Sequence, residues 1–390
     1  MGEWVLNGLG ALNLAVWIFM LLFWGQFWRA NQRLRPVSPP PAWPEIAGLI
    51  PARDEADSIG RVVQAHLASA YRGKFTLIVV DDSSSDGTGD LARAAGLGQP
   101  HSLLVVDGAP LAQGWTGKLW AQAQGLAKAR EAAPDARYFL LCDADIAFGP
   151  GTLGALVAKA EAEDLALVSL MARLDARGPF ASLLIPAFVF FFQKLYPFAW
   201  ANDPARKCAA AAGGVMLIRA EAVEKLDLPA SISGALIDDC SLAAKVKASG
   251  RRIWLGLSEP GAAISLRDNR AMGSIWSMVA RTAYAQLGHS PVLLAGSLLG
   301  LCFLYLTGPI LLVSGALHGQ IPALWFGASA WALMSLAFFP TALDYRRPWI
   351  APLLPLAGLI YGAMTFDSAR RYWQGQGGAW KGRTYPAALS

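Results

Sequence analysis

The sequence predicts an α/β fold: one cytoplasmic domain built on a mainly parallel sheet, with transmembrane helices on either side of it. Three observations lead there. Four strand-like apolar runs, 46–50, 75–80, 103–106 and 138–141, alternate with helical patterns, and that βα alternation builds a parallel sheet. Long charge-free stretches lie before and after this region. The composition agrees, since 54% of the 390 residues are hydrophobic, only 16% are charged and 15 are Trp, which is more apolar than an ordinary soluble chain.

Residues 4–28 carry no charge. At about 1.5 Å rise per residue they suffice to cross the roughly 30 Å hydrocarbon core. The run is too long for a signal peptide, has no Lys or Arg before it and is followed by no small-residue cleavage site. Arg29, Arg33 and Arg35 come next, and the positive-inside rule puts them and the following domain in the cytoplasm, with the N-terminus outside. Residues 35–44, RPVSPPPAWP, contain five prolines and read as a stiff spacer. The expected division is therefore an anchor and linker at 1–44, a compact domain at 45–288, and a membrane region with a basic tail at 289–390.

No Asp, Glu, Lys or Arg occurs from 290 to 343, and His318, Gly319 and Gln320 divide this stretch into spans near 291–317 and 321–343. A third apolar run covers 348–366. If all three cross, the basic tail at 370–383 falls outside, against the positive-inside rule. Pro352 and Pro355 interrupt the third run, so it is expected to dip into the membrane or lie at its surface, leaving the tail cytoplasmic. Residues 180–200, FASLLIPAFVFFFQKLYPFAW, are too short in their charge-free part to span; with Pro186 and with Lys194 near Tyr196 and Trp200 they read as an interfacial helix, a buried core helix being the alternative.

Lys plus Arg number 33 against 28 Asp plus Glu, a net charge of +5 without a basic stripe, which suits an anionic membrane surface and excludes nucleic acid as a partner. Cys142, Cys208, Cys240 and Cys302 lack CxxC or Cys/His spacing, so neither a disulfide framework nor a zinc site is expected, in keeping with a reducing cytoplasm.

Within the domain the first helix is the clearest: Asp57 or Ser58 can cap it, and Ile59, Val62, Val63, His66 and Leu67 recur at helical spacing. His66 on that apolar face reads as a packed residue. Parallel sheets gather ligands at the carboxyl ends of their strands. There the sequence places PARDE (51–55) after the first strand, DDSSSDGT (81–88) after the second and DAD (143–145) after the fourth. Carboxylates from separate strands facing one crevice repel each other unless a cation or hydrogen-bond donors lie among them. Hard oxygen ligands at a partly open site suit Mg²⁺ or Mn²⁺, which keep some waters and complete their shell with substrate phosphate.

These segments, together with GWTGKLWAQAQGL (114–126) and IDDCSLAAKVKASGRRIWL (237–255), resemble in order and spacing the family 2 glycosyltransferases, whose fold is called GT-A. The resemblance covers about 45–290. The flanking membrane segments, the phrase MVARTAYAQLGHS and the tail WKGR look most like a hopanoid-associated branch, similar to ceramide and carotenoid glycosyltransferases. The resemblance implies an inverting enzyme that moves a sugar from a UDP-sugar donor to the hydroxyl of a lipid acceptor, whether hopanoid, sphingolipid-like or isoprenoid. It assigns Pro51, Arg53 and Glu55 to the nucleoside pocket and Asp82 to the uracil, whose N3–H a carboxylate can accept. Lys118 would reach the donor phosphate. Asp145 would ligate the divalent ion, with Asp143 contacting ribose or sharing the metal. Of the adjacent Asp238 and Asp239, the second would be the general base that deprotonates the acceptor. Many relatives carry Gln-x-x-Arg-Trp further on; here VARTAYAQ offers Arg281 as a diphosphate-facing cation, with Tyr284 where Trp is usual. The run CAAAAGGVMLIR (208–219) looks like an acceptor-facing loop leading into a strand. Asp86, Gly87 and Thr88 read as turn and helix cap. A processive polysaccharide synthase would need more spans and a complete Gln-x-x-Arg-Trp; an inactive nucleotide-sugar-binding scaffold would have no use for a base.

Overall fold

The computed structural model describes residues 2–377. Along the chain come α1 (Gly2–Phe23), β1 (Ile46–Ala52), α2 (Ile59–Leu67), β2 (Phe75–Asp81), α3 (Thr88–Ala95), β3 (Ser102–Asp107) and α4 (Gly117–Ala132). They are followed by β4 (Tyr138–Cys142), β5 (Ile146–Phe148), α5 (Thr152–Ala162), β6 (Leu167–Met171), α6 (Pro179–Leu195), α7 (Phe198–Asn202), β7 (Val215–Arg219) and α8 (Ala220–Lys225). The last elements are α9 (Asp238–Ala248), β8 (Ile253–Leu257), β9 (Ala263–Ser265), α10 (Met272–Ala280), α11 (Pro291–His318), α12 (Ile321–Asp344) and α13 (Leu354–Trp373). They divide into two units. One comprises Asn31–Asp175 and Trp200–Arg267; the other takes the chain up to Ala30, Ala176–Ala199 and everything described from Asp268 onward.

The first unit is a seven-stranded sheet in the order β3-β2-β1-β4-β7-β6-β8. All neighbours are parallel except β7, which runs antiparallel to both β4 and β6. The sequence accounts for the central strands: β1 and β4 are buried at every position, as strands covered on both faces by helices must be. Chain order reverses between β1 and β4, because β2 and β3 lie on one side of β1 and β4 on the other, and that switch opens a crevice at their carboxyl ends. The four strand-like runs of the sequence all appear here, each extended by a residue or two.

Two details differ from expectation. Ser58 stands at the N-cap of α2 but its side chain caps nothing; its Oγ donates to Ala144 O at 3.0 Å, tying the helix start to the turn after β4. The proline segment is fastened at both ends: just before it Gln32 O accepts from Leu257 N–H at 2.8 Å, and at its end Tyr71 OH donates to Pro44 O at 2.6 Å with Trp43 packed edge-on against Tyr71.

The second unit is helical. Among the described residues four segments are long and apolar enough to cross a membrane: Trp4–Phe23, Pro291–His318, Ile321–Asp344 and Pro348–Trp373. The last begins as a 3₁₀ turn, Pro348–Leu353, and continues as α13. Pro352 lies in the 3₁₀ turn and Pro355 in the first turn of α13, where a missing N–H breaks no helical bond, so the helix is continuous past 366. Much of the basic tail, including WKGR, lies outside the described residues. The segment 180–200 forms the 17-residue α6, which packs inside this unit: Phe190 meets Phe338 at 5.3 Å between ring centroids, and Tyr361 OH donates to Leu184 O at 2.8 Å. With α6 and α10 both in the helical unit, the chain changes unit at 175/176, 199/200 and 267/268, where the sequence suggested one unbroken domain to 288.

Close approach of α11 and α12 depends on glycine. A Cβ on Gly327 would stand 2.3 Å from Leu312 N and 2.6 Å from Gly308 O, both backbone atoms that cannot swing aside. Gly327→Ala is therefore expected to lower the unfolding midpoint of the protein in detergent, at a cost of about 1–3 kcal/mol or more. Gly296→Ala, at a position with open space, should leave that midpoint unchanged.

Candidate active site

Three separate pairings bring polar groups to one edge of the sheet. After β1 the chain turns through Arg53 and Glu55; Asp54 and Ser83 both have positive φ, and Asp54 Oδ1 accepts from Ser85 N–H at 2.8 Å, fastening the turns after β1 and β2 together. The antiparallel pairing of β7 with β4 sets Val215 opposite Cys142, so the chain entering β7 passes Asp143, whose N–H donates to Gly214 O at 3.3 Å. The pairing of β5 with β9 sets Ser265 opposite Ile146 and Leu266 N–H on Asp145 O at 2.7 Å. A parallel sheet with one reversed strand thus collects side chains from positions far apart in sequence.

Lys118, in the first turn of α4, is the centre of the cluster. Its Nζ lies 2.9 Å from Asp143 Oδ1 and 3.0 Å from Asp238 Oδ2. Burial by itself would favour the neutral amine, but the carboxylates of Asp143 and Asp238 more than offset this and hold the ammonium charged well above the usual lysine range. Asp239, next along α9, accepts from Gly213 N–H through Oδ2 at 2.8 Å and from Cys240 N–H through Oδ1 at 2.7 Å. Its carboxyl is pushed up to about 6, first by burial and then by the charge of Asp238, with Lys118 and the two backbone donors pulling the other way. A Cβ on Gly213 would stand 3.2 Å from Asp239 Oδ2 and 3.3 Å from Lys118 Nζ. Glycine at that position leaves the space between Asp239 and Lys118 free.

Asp143 is also raised, mainly by burial, with Lys118 opposing and Asp145 adding to the effect. Asp145 Oδ2 accepts from Ser265 Oγ at 2.5 Å and faces Arg267 Nε at 3.8 Å, while Arg267 Nη2 lies 3.6 Å from Glu55 Oε1. Among the described residues, each carboxylate of the DAD turn thus engages a side chain through one oxygen, Oδ1 of Asp143 and Oδ2 of Asp145, and keeps the other. No group of three or more His, Cys, Asp or Glu among the described residues could hold a metal ion. That donor set fits a hard divalent ion taking most of its shell from water and phosphate, and not a cage built wholly of protein ligands.

The remaining expected residues fall as follows. Pro51 is buried in β1 and Arg53 follows the strand end. Asp82 is fully buried; Arg53 Nη1 donates to its backbone oxygen and lies 3.8 Å from its carboxylate, so in this conformation Asp82 orients Arg53 and presents no surface to a ligand. Asp86 accepts from Thr88 N–H and Ala56 N–H at 3.1 and 2.9 Å, which closes the turn, while Gly87 stands at the N-cap of α3. Arg281 is exposed at the end of α10 and belongs to the helical unit. Tyr284 is buried, its OH donating to His289 O at 2.7 Å and its ring packed on Tyr372 and Trp373, so it serves its own aromatic cluster and not an acceptor. His66 is packed as expected, its Nε2 at 3.0 Å from Ile146 O, with burial holding its imidazole down at about 4. Sequence reasoning missed Ser265 and Arg267. Ser265 ends the three-residue β9, 120 residues from Asp145 in the chain, and Arg267 lies just beyond it, with no motif to mark either.

The sheet unit has the GT-A fold of nucleotide-sugar transferases. Residues 49–227 match the family model described as "Glycosyl transferase family 2". Among solved structures, the mannosyltransferase PcManGT from Pyrobaculum calidifontis, in complex with GDP-Man and Mn²⁺, is similar over 92% of this chain and 99% of its own, at 20% identity and a TM-score of 0.56. S. aureus TarS in complex with UDP-GlcNAc is similar over 85% of this chain and 92% of its own, at 13% identity and a TM-score of 0.39. Glucosyl-3-phosphoglycerate synthase from Mycobacterium tuberculosis, in complex with Mg²⁺ and UDP, is similar over 63% of this chain and 79% of its own, at 17% identity and a TM-score of 0.40. No curated protein matches the chain.

Removing Lys118 would leave Asp143 and Asp238 facing each other without their shared cation. Breaking a buried pair costs about 3–5 kcal/mol, and with the Asp143 side chain 35% exposed the loss expected for Lys118→Met is nearer about 2–3 kcal/mol. Adding Asp143→Asn to Lys118→Met should recover part of the lost unfolding midpoint, a sign reversal that independent surface effects would not give.

Proposed function

We propose that this protein is a membrane-bound inverting glycosyltransferase that moves a sugar from a UDP-sugar donor to the hydroxyl of a lipid acceptor. The observation that carries the reading is the cluster of Asp143, Lys118, Asp238 and Asp239 at the carboxyl edge of a GT-A sheet, in a chain with four segments apolar enough to span a membrane. Asp239 is the base. A carboxylate of ordinary acidity is a poor acceptor for a hydroxyl proton; one raised by burial and a neighbouring charge is a better match to neutral operation. Gly213 N–H and Cys240 N–H fix its orientation, and the proton it takes rests on the carboxylate oxygen while the acceptor oxygen attacks the anomeric carbon from the face opposite the diphosphate.

Lys118 serves the leaving side. Its charge is secured by Asp143 and Asp238, so a diphosphate oxygen reaching it meets an ammonium already desolvated and held in place, the arrangement that stabilises developing negative charge most effectively. The unengaged oxygens of Asp143 and Asp145 would hold Mg²⁺ or Mn²⁺, which when bound supplies fixed positive charge to the departing diphosphate. Arg53 and Glu55 line the nucleoside side, with Asp82 beneath Arg53. The acceptor is a lipid because the chain that supplies the site is also the chain that carries the apolar helices; a hopanoid, a sphingolipid-like alcohol and an isoprenoid alcohol all present a hydroxyl on an apolar body.

Membranes containing the protein, supplied with radiolabelled UDP-sugars and lipid extract, should form a labelled lipid and release UDP; exhaustive chelation should stop both. Label transferred from GDP-sugars alone would overturn the choice of nucleotide. Asp239→Asn should lower kcat by about 10²–10⁴-fold while donor binding persists. Equal loss of both would make Asp239 structural.

A pH profile separates the adjacent acids. Because Asp239 must be ionised to act, kcat/KM should fall as pH drops through about 6. Asp238→Asn removes a charge that raises Asp239, so the acid limb should move to lower pH. A limb unmoved by this substitution would place the titration elsewhere.

A further inference from the structure

Lys247, in the last turn of α9, makes contacts that the reaction described above does not use. Its Nζ donates to Ala201 O at 2.7 Å, Trp200 O at 3.1 Å and Cys208 O at 2.6 Å, which accounts for all three ammonium hydrogens. Two of the carbonyls lie in α7 and the third beyond the loop that follows it. Between them lie Pro204, Ala205, Arg206 and Lys207, all exposed and outside regular structure. One partly exposed charge thus closes the exposed segment at its root.

From Cys208 the chain runs to Gly213 beside the same helix. Ala211 O accepts from Cys240 Sγ at 3.8 Å, and Gly213 N–H donates to Asp239 Oδ2 at 2.8 Å. Contacts at 208, 211 and 213 therefore fall on 247, 240 and 239, so the segment lies antiparallel along α9. From Asp239 to Lys247 the helix rises about 12 Å. Five extended residues reach no more than about 17 Å, so the strip has only a few ångströms of slack. The alanines at 209–212 let it lie this close to the helix, and Ala210 and Ala211 are fully buried. At the far end Ser169 Oγ accepts from Ala212 N–H at 2.8 Å, fixing the turn into β7.

We infer that Lys247 is a positioning residue for the general base: by anchoring the 200–208 loop at one end of α9 it holds the taut 208–213 strip so that Gly213 N–H stays on Asp239 at the other end. This rests on Asp239 being the base. The charged groups facing Asp239 are Asp238 on its own helix and Lys118 from α4, and Lys247 is too far along α9 to act on it directly. Its influence passes through the strip.

The test uses the full chain in detergent or bilayer discs, with three readouts: kcat, the acid limb of kcat/KM, and UDP affinity by fluorescence. Lys247→Met should lower kcat by about tenfold and move the acid limb up by about one pH unit, since Asp239 loses a donor to its ionised form, while UDP affinity is unchanged. Lys247→Arg, which can still bond the carbonyls, should restore most of both. One glycine inserted between Ala209 and Ala210 slackens the strip with Lys247 intact and should move the limb the same way, which keeps the test open if Lys247→Met does not fold. A limb that stays in place in the insertion variant, or UDP affinity that falls in step with kcat, overturns the inference. Asp239→Asn is run beside these. If it retains full turnover the reading of the base has failed; if it is inactive while Lys247→Met and the insertion keep the wild-type limb, only the role of Lys247 has failed.

Discussion

The site depends on one ammonium shared between two carboxylates. Without Lys118, Asp143 at the end of β4 and Asp238 at the start of α9 could not both remain charged at the edge of an apolar sheet. With it, each acid gains a partner and the lysine keeps its charge in spite of burial. Most of the geometry follows. Asp238 takes the lysine, Asp239 is left to the backbone donors, and two acids adjacent in sequence end with different environments.

The reversed strand has a chemical purpose in this arrangement. Were β7 parallel to β4, its amino end would lie at the opposite edge of the sheet, and the Gly213–Gly214 approach to Asp143 and Asp239 would not exist. Antiparallel pairing delivers the small-residue segment before β7 to the carboxyl edge of β4. The same applies to the two-stranded β5/β9 ladder, which delivers Ser265 and Arg267 to Asp145. Strand order alone provides carboxylates; the two reversals provide the groups that orient them.

This division explains what was legible in the sequence. Periodicity and apolar runs gave β1 to β4 and α2 to within a residue or two, because central parallel strands and amphipathic helices carry their burial pattern in the local residue order. Lys118, Asp143 and Asp238 were singled out through motif resemblance, and the structure brings those three together. Ser265, Arg267 and Lys247 were not legible, since each acts through a contact set by pairing of distant segments. The burial of Asp82 was not legible either, since it depends on how Arg53 folds over it and no local pattern records that. The extent of α13 was missed because proline was read as a break, although in a first turn it is not one.

Charge balance connects the crevice to the form in which a nucleotide could enter it. Glu55, Asp143, Asp145, Asp238 and Asp239 are met by Lys118 and Arg267, so with its acids ionised the edge carries an excess of negative charge. A bare diphosphate would be repelled there. A diphosphate already chelated to a divalent ion is close to neutral and brings the positive charge that the unengaged oxygens of Asp143 and Asp145 lack. On the proposed reading the acids therefore select the chelated donor over the free one, and Arg267, held loosely at 3.6 and 3.8 Å between Glu55 and Asp145, is positioned as the side chain that can give way. Lys118, bound tightly on both sides, is not. On that reading the difference between the two cations, one yielding and one fixed, would let a single acidic edge both admit a ligand and stabilise its departure.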